Sequence, residues 1–198
     1  MAAWSVDAAR RVADGVVVVV PEGFGADGDQ AGGAASGAGS APWGADRMVT
    51  GGVSRADSVR AGLAAVPDDA AIIVVHDAAR PLAAPSLFTA VVEAVRLEGA
   101  SCVIPVLPVS DTLKRTSDGL VVSTVDRDGL VTVQTPQAFA AATLREAHRD
   151  GGLTTDDAGL VEQMGVAVRT VPGDPRNLKI TRHEDLGLAE ALMAGAPR

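Results

Sequence analysis

The chain has 198 residues, which is enough for one α/β domain with a full core and short for two. Its net charge of −8 argues against a nucleic-acid or anionic-membrane partner, because a phosphate backbone needs a basic face, although a small anionic substrate needs only a local cationic pocket. The longest aliphatic run, 16–20, is too short to cross a bilayer, no signal peptide is expected, and the lone Cys102 forms no intramolecular disulfide, which together predict a cytoplasmic protein.

Apolar runs with strand character alternate with segments of helical periodicity. We predict strands at 16–20, 71–75, 102–106, 120–125, 131–134 and 166–171. We predict helices at 54–66, 85–98, 140–149, 156–164 and 183–193, the first opened by a capping-box spacing. Strands that are apolar on both faces and alternate with helices are typical of a parallel-rich sheet covered on both sides. The fold class is therefore predicted as α/β, a single domain over 1–198, with ligands beyond the carboxyl ends of the strands.

Two stretches interrupt this alternation. The stretch 21–46 is rich in Gly, Ala and Ser without a period, so we predict a long flexible loop. The stretch 108–127 has two polar-patterned strands around Ser117, Asp118 and Gly119, which is a hairpin signal. Because it has too few apolar residues to be buried, we predict an arm that projects from the domain towards a partner chain.

The residues Gly-Phe-Gly-Ala-Asp-Gly at 23–28 match the spacing of a dinucleotide-binding loop. Such a loop needs a helix to begin at its end, so that the first amides of the helix meet the pyrophosphate. The residues that follow, 29–33, begin no amphipathic helix, and Asp27 and Asp29 would repel phosphate. We interpret this segment as a linker.

A histidine, a carboxylate, two alanines and an arginine follow the predicted strand at 71–75. Small residues such as Ala78 let a ligand approach the backbone, and Asp77 is suited to bind hydroxyls or a phosphate-bound magnesium ion. The alternative is a structural turn in which Asp77 caps local amides and Arg80 pairs with it. The residues alone leave both interpretations open.

Two glycines and one lysine mark two further candidate segments. Gly51 and Gly52 run into the predicted helix at 54–66, where they permit close approach by a planar or anionic group or simply form a tight turn. The polar loop 173–181 contains Lys179, which with Lys114 makes up the whole lysine content among 17 basic residues. A lysine offers a compact, rotatable charge that arginine does not, so both lysines are candidates for a role beyond solubility.

Covalent and metal-based chemistry are not indicated by the pattern of nucleophiles and ligands. His76, His148 and His183 are too scattered to suggest a metal cage or a catalytic triad. No serine lies in a nucleophile elbow, and Cys102 lies within an apolar strand, where we expect a core residue. An enzyme with this sequence would therefore work by positioning and electrostatics.

These segments together resemble the 2-C-methyl-D-erythritol 4-phosphate cytidylyltransferase family. The matching segments are GGVSRADSVRAGL at 51–63, VVHDAARPL at 74–82, PVSDTLKR at 108–115, TVDRDGL at 124–130, QTPQAF at 134–139, TTDDAGLVEQMG at 154–165 and NLKITRHEDLGLAE at 177–190. They cover about three quarters of the chain, from residue 51 onwards. Several motifs in one order are far more specific than any one of them.

The resemblance implies a Rossmann-like nucleotidyltransferase fold, a three-layer sandwich with a protruding β-arm. It implies a homodimer clasped by the arm at 108–127, with CTP and Mg²⁺ as ligands and pyrophosphate as a product. The magnesium ion would be held mainly by the CTP phosphates, with Asp77 as the candidate protein ligand. No nucleic-acid or membrane partner is implied.

The resemblance also implies roles for individual residues. Gly52 and Ser58 would contact the cytosine, and Asp77 and Ala78 the ribose. The residues that would meet the methylerythritol phosphate are Asp77, Thr155 and Lys179 of one subunit and Thr112 and Arg127 of the partner's arm. Arg127 and Lys179 are implied as the catalytic cations, which hold two anions together and stabilise charge in the transition state.

The sequence departs from the family pattern at its start and at one position beside the base. The family's first strand and glycine-rich triphosphate loop have no counterpart before Val16, so the chain is expected to be N-terminally truncated and to turn over CTP hardly at all. Val53 stands where some members carry an acidic residue, so the contact there is expected to be backbone only. The alternatives are a ribitol 5-phosphate cytidylyltransferase and a non-catalytic dimeric remnant.

Overall fold

The computed structural model describes residues 1–24, 41–149, 152 and 154–194. In this part of the chain the helices are α1 (Ala2–Arg10), α2 (Arg55–Ala65), α3 (Pro85–Glu98), α4 (Ala141–Ala147), α5 (Asp157–Gln163) and α6 (Glu184–Ala194), with a short 3₁₀ turn at Pro42–Gly44. The strands are β1 (Val17–Val20), β2 (Arg47–Thr50), β3 (Ile72–Val75), β4 (Cys102–Pro108), β5 (Leu113–Ser117), β6 (Leu120–Val125), β7 (Val131–Val133), β8 (Gln137–Ala140) and β9 (Arg169–Pro172). Helices and strands alternate from β2 to β4, as the sequence predicts, whereas β4 to β8 are five consecutive strands.

The central sheet is mixed, so the prediction of a parallel-rich sheet is wrong for this part of the molecule. Its strands run in the order β3-β8-β4-β7, and β9 also pairs with β4. The pairs β3/β8, β8/β4 and β4/β7 are antiparallel, and only β4/β9 is parallel. The reason is the insertion of β8 between β3 and β4, which run in the same direction. A separate parallel pair, β1 and β2, makes a second small sheet.

The core lies between the sheet and the helices on its two faces. On one face α4 and α5 cover fully buried sheet residues, among them Phe139 and Cys102, and Leu144 fills the layer from the helix side. On the other face Val91 and Val95 of α3 pack against β4 and β8. Two helical layers around a sheet give the three-layer arrangement expected from the sequence.

Local sequence signals place two helices correctly. Ser54 caps α2: its side chain accepts a hydrogen bond from the Asp57 amide, while the Asp57 carboxylate accepts one from the Ser54 amide, which completes the capping box. The helix α3 begins at Pro85 and stops at Gly99, as predicted. These signals are strong because each satisfies backbone groups that the helix ends leave unpaired.

The stretch 108–127 forms the predicted hairpin, with β5 and β6 paired around a tight turn. Asp118 and Gly119 both have positive φ, 50° and 78°, which fits the twist of a two-residue hairpin turn. In the predicted loop 21–46, residues 42–44 form the 3₁₀ turn, and residues 25–40 lie outside the described part, as does most of the glycine motif at 23–28. No helix among the described residues is long and apolar enough to span a membrane.

Candidate functional site

The candidate site begins where β3 ends. Asp77 follows this strand, is mostly buried, and forms an ion pair with Lys179, whose Nζ lies 2.8 Å from Asp77 Oδ2. Asp77 Oδ1 lies 3.8 Å from Nε of Arg55, the first residue of α2. One carboxylate therefore faces two cations from distant parts of the sequence. The segment does form a turn, in which the Arg80 amide donates to the Asp77 carbonyl over 2.9 Å, but the Arg80 guanidinium donates to other backbone carbonyls and not to the Asp77 carboxylate.

Lys179 reaches Asp77 because its loop is tied to the sheet on both sides. Asn177 is fully buried, and its side-chain amide donates to the carbonyl of Thr135 over 2.8 Å. The Asn177 carbonyl in turn accepts a hydrogen bond of 2.8 Å from Arg80, and the Ile180 amide donates to the Ala79 carbonyl over 2.8 Å. Buried hydrogen bonds of this kind give the loop a defined position relative to β3.

His76 supports the backbone of Asp77 through Thr135. The Asp77 amide donates to Thr135 Oγ1 over 3.0 Å, so the Thr135 hydroxyl is free to donate to His76 Nδ1 over 3.1 Å. His76 Nε2 lies 3.2 Å from the Arg80 carbonyl, which can only accept, so the proton of the neutral ring is on Nε2. Burial, including contact with Phe88, lowers the pKa of His76 to about 4.

Replacing His76 by Gln is expected to remove part of the acid sensitivity of the fold. Between pH 6.5 and 4 the unfolded chain binds a proton that the folded His76 does not, so the free energy of unfolding falls as the pH is lowered. The expected loss from this one group is about 3 kcal/mol. Urea unfolding at both ends of this pH range measures it. The exposed His183→Gln is the matched control and keeps the wild-type dependence; equal slopes in His76→Gln and wild type would contradict the prediction.

The segment Gly51–Ser58 packs tightly on itself. A Cβ atom on Gly52 would lie 2.2 Å from Asp57 Cβ, so no larger residue fits there without displacing the first turn of α2. The Gly52 amide donates to Ser58 Oγ over 3.2 Å, and Val53 is fully exposed beside it. The two glycines therefore form a tight turn, because no space remains on the side that faces α2. The side that faces solvent stays open to a ligand.

A buried ion network extends behind Asp77. Arg55 Nη2 lies 2.7 Å from Asp157 Oδ2, and His148 Nε2 lies 2.9 Å from Asp157 Oδ1. Burial opposes ionisation of both partners of the arginine pair, yet the hydrogen bond and the neighbouring carboxylates raise the pKa of Arg55. Burial would likewise raise the pKa of Asp157, but hydrogen bonds from His148 and Arg55 hold it below its ordinary value. Neither Arg55 nor Asp157 is among the site residues predicted from the sequence.

The remaining predicted site residues lie at varied distances from this centre. Ala78 follows Asp77, and its carbonyl accepts a long hydrogen bond, 3.5 Å, from Ser5. Thr155 is exposed, next to the residue that caps α5. Thr112 is exposed just before β5, and Arg127 donates to the carbonyls of Val109 and Ser110 at the base of the arm. Within the described ranges, neither Thr112 nor Arg127 bonds to Asp77 or Lys179 of its own chain.

The described residues contain no cluster of three or more His, Cys, Asp or Glu side chains that could hold a metal ion. Cys102 is fully buried, and burial together with nearby carboxylates raises the pKa of its thiol to about 12, so the thiol is protonated. This agrees with the prediction that Cys102 is a core residue.

The fold and the site define an α/β protein of the Rossmann-like nucleotidyltransferase class. The chain resembles the solved 2-C-methyl-D-erythritol 4-phosphate cytidylyltransferase of Thermus thermophilus with a TM-score of 0.79 and 35% identity, over 96% of this chain and 87% of that one. The family model for 2-C-methyl-D-erythritol 4-phosphate cytidylyltransferase (IspD) matches residues 2–195. The chain belongs to this family.

Curated relatives with the same name cover the greater part of the chain. The protein of Frankia casuarinae is 52% identical over 149 residues, which are 74% of this chain and 56% of the relative. The protein of Saccharopolyspora erythraea is 53% identical over 152 residues, which are 74% of this chain and 67% of the relative. The chain thus spans about three fifths of the length of the curated relatives it matches.

Proposed function

We propose that the protein transfers CMP from CTP to 2-C-methyl-D-erythritol 4-phosphate and releases pyrophosphate. The observation that carries this proposal is the Asp77–Lys179 ion pair, 2.8 Å long, at the end of β3 in a member of this family. A carboxylate that binds hydroxyls, next to a cation that binds phosphate, suits a polyol phosphate. A reducing, cytoplasmic location is part of the proposal and rests on the lone, buried Cys102.

The chemical step is a phosphoryl-type substitution. A phosphate oxygen of methylerythritol phosphate attacks the α-phosphorus of CTP, a new P–O bond forms, and the bond to the β-phosphate breaks with its electron pair leaving on pyrophosphate. Both reactants are anions, so the protein must hold them together and stabilise the charge that develops. We assign this task to Lys179 and to Arg127 of the partner chain.

The other contacts follow the implied family roles. Gly52 and Ser58 hold the cytosine, since the open side of this tight turn exposes the backbone of residues 52–53. Asp77 and Ala78 hold the ribose. Asp77 and Thr155, with the partner's Thr112, hold the methylerythritol phosphate.

The residues around Asp77 do not form a cage for Mg²⁺. Both oxygens of Asp77 already face cations, Lys179 and Arg55. Magnesium commonly binds through one or two carboxylates together with substrate phosphates, so it fits this site when carried by the CTP phosphates, with Asp77 as the candidate protein ligand among the described residues. The bound ion would neutralise part of the phosphate charge.

We also propose that the chain forms a homodimer through the arm at 108–127. The arm exposes Leu120, Val121 and Val122, at 72%, 63% and 61% of their surface, in one consecutive run. Within the described structure, its strands β5 and β6 pair only with each other. Exposed apolar side chains on a hairpin that pairs with no other described strand are suited to contact a partner chain.

A pyrophosphate-release assay tests the proposed activity. The 198-residue chain is incubated with CTP, Mg²⁺ and methylerythritol phosphate, and the nucleotide product is identified by mass spectrometry. Release that requires both CTP and methylerythritol phosphate supports the proposal and would show that the sequence-based expectation of almost no CTP turnover is wrong. Equal or greater release with ribitol 5-phosphate would assign the other polyol phosphate, and no release with either would contradict a transferase activity of this chain.

A further inference from the structure

We propose that Arg55 is a positioning residue, anchored by Asp157, that fixes the carboxylate of Asp77 in the site. The inference rests on the proposed function, in which Asp77 contacts both substrates. It assigns to α2 a task beyond holding the cytosine. Arg55 itself need not touch either substrate.

The geometry shows one guanidinium that bridges two carboxylates. Its Nη2 is hydrogen-bonded to Asp157 at 2.7 Å, whereas its Nε faces Asp77 at 3.8 Å. The shorter contact fixes the plane of the guanidinium, and the longer one acts on Asp77 by charge. Asp77 Oδ1 is thereby directed to Arg55, which leaves Oδ2 for Lys179.

The anchor is rigid because it is buried. The Asp157 side chain is 1% exposed and lies at the start of α5, and the His148 side chain, 2% exposed, holds its other oxygen. A buried carboxylate with two charged or polar donors has little freedom to reorient. Arg55 is itself fixed at its backbone, because it follows the Ser54 cap of α2.

An arginine is required by this arrangement. The planar guanidinium presents several donors at fixed angles, so one side chain can serve Asp157 and Asp77 together. A lysine carries its charge on three rotatable donors with no fixed plane, so it does not set the positions of the two carboxylates relative to each other. Arg55→Lys therefore keeps the charge and loses the bridge, which separates positioning from simple charge balance.

The first test is kinetic, by steady-state assay of the 198-residue chain. Arg55→Gln and Arg55→Lys are expected to lower kcat by about 10- to 100-fold while KM for either substrate changes by less than about 3-fold, because a misplaced reacting group costs rate more than affinity. In the Asp77→Asn background, Arg55→Gln is expected to cost less than about 3-fold, because the group that it positions is gone. Equal costs in both backgrounds would overturn the proposal, since a general structural role predicts additivity.

The matched control is Arg60→Gln on the same helix, where Arg60 pairs with Asp57 and does not contact Asp77. It is expected to leave kcat unchanged. Circular dichroism checks that each variant folds. Asp157→Asn is expected to act like Arg55→Gln, and if it fails to fold the two Arg55 variants carry the test.

A second readout does not depend on activity. Vicinal NMR couplings from Asp77 Cγ to its own backbone report the χ1 rotamer of the ligand-free protein. One rotamer is expected in wild type and in Arg60→Gln, and rotamer averaging in Arg55→Gln. If the wild-type chain lacks cytidylyltransferase activity, the proposed function fails, and the couplings alone decide on Arg55. A single unchanged rotamer in Arg55→Gln would overturn the positioning role in either case.

Discussion

Lys179→Ala is expected to lower kcat/KM by about 100- to 1000-fold, the usual cost of removing one group that stabilises transition-state charge. Its ammonium group is the cation closest to Asp77, at 2.8 Å, and lies on a loop that buried Asn177 ties to the sheet. Because the Lys179 side chain is nearly half exposed, its removal leaves the core intact, and the free energy of unfolding should change little. Steady-state pyrophosphate release and urea unfolding measure the two quantities.

The chain offers a matched control in its other lysine. Lys114 lies on the arm and donates to Thr124 Oγ1 across the hairpin at 2.6 Å. Lys114→Ala removes the same charge from an exposed position and is expected to keep kcat/KM within about 3-fold of wild type, as is usual for exposed pairs. Similar losses in both variants would contradict a specific role for Lys179.

Mixing the inactive variants Arg127→Ala and Lys179→Ala is expected to restore activity. If the partner's Arg127 completes the site of Lys179, each heterodimer of the two variants has one site with both native residues and one site with neither. Random exchange then gives about a quarter of the wild-type rate, since the uncomplemented sites remain inactive. The measurement is pyrophosphate release after co-refolding or prolonged exchange, with each variant alone as its reference.

Light scattering and arm deletion control this experiment. Subunit exchange is verified with a tagged chain. A chain that lacks residues 114–123 is expected to be a monomer whose circular dichroism spectrum retains the helical signal of the full chain. A deletion product that stays dimeric would contradict the role of the arm. No recovery after verified exchange would show that Arg127 does not act across the interface.

Local signals made much of the architecture predictable. The bounds of α3 follow from a proline at its first position and Gly99 after its last, and both signals act within one turn of the chain. The hairpin β5–β6 follows from Asp118 and Gly119, whose positive φ values few other residue pairs accept. These features depend on neighbours in the sequence, so no knowledge of the tertiary structure was needed.

The relative directions of the strands in the central sheet could not be predicted from such local signals. The strand β8, Gln137–Ala140, is rich in alanine and precedes a helix, so its residues carry little strand propensity. It becomes a strand because it pairs with β3 on one side and β4 on the other. That tertiary pairing overrides the local preference and makes the sheet mixed.

The candidate site was predictable only in part, because tertiary contacts also decide which of its residues come together. The positions of Asp77 and Lys179 after strands, together with the family resemblance, predict both as site residues. Arg55 stood inside a recognised motif, but its partner Asp157 is 102 residues away in the sequence. No local pattern links the two, and only the folded chain shows that α2 and α5 meet behind Asp77.

This dispersal of the site along the chain links ligand binding to folding. Arg55, Asp77, Asp157 and Lys179 come together only when α2, β3, α5 and the loop 173–181 have all reached their final places. An unfolded chain therefore has no partial version of the site, and a ligand that binds there stabilises the native state alone. At 100 times its dissociation constant such a ligand adds about 2.7 kcal/mol to the free energy of unfolding. A substrate-dependent rise in melting temperature would thus report on the assembly of the whole domain.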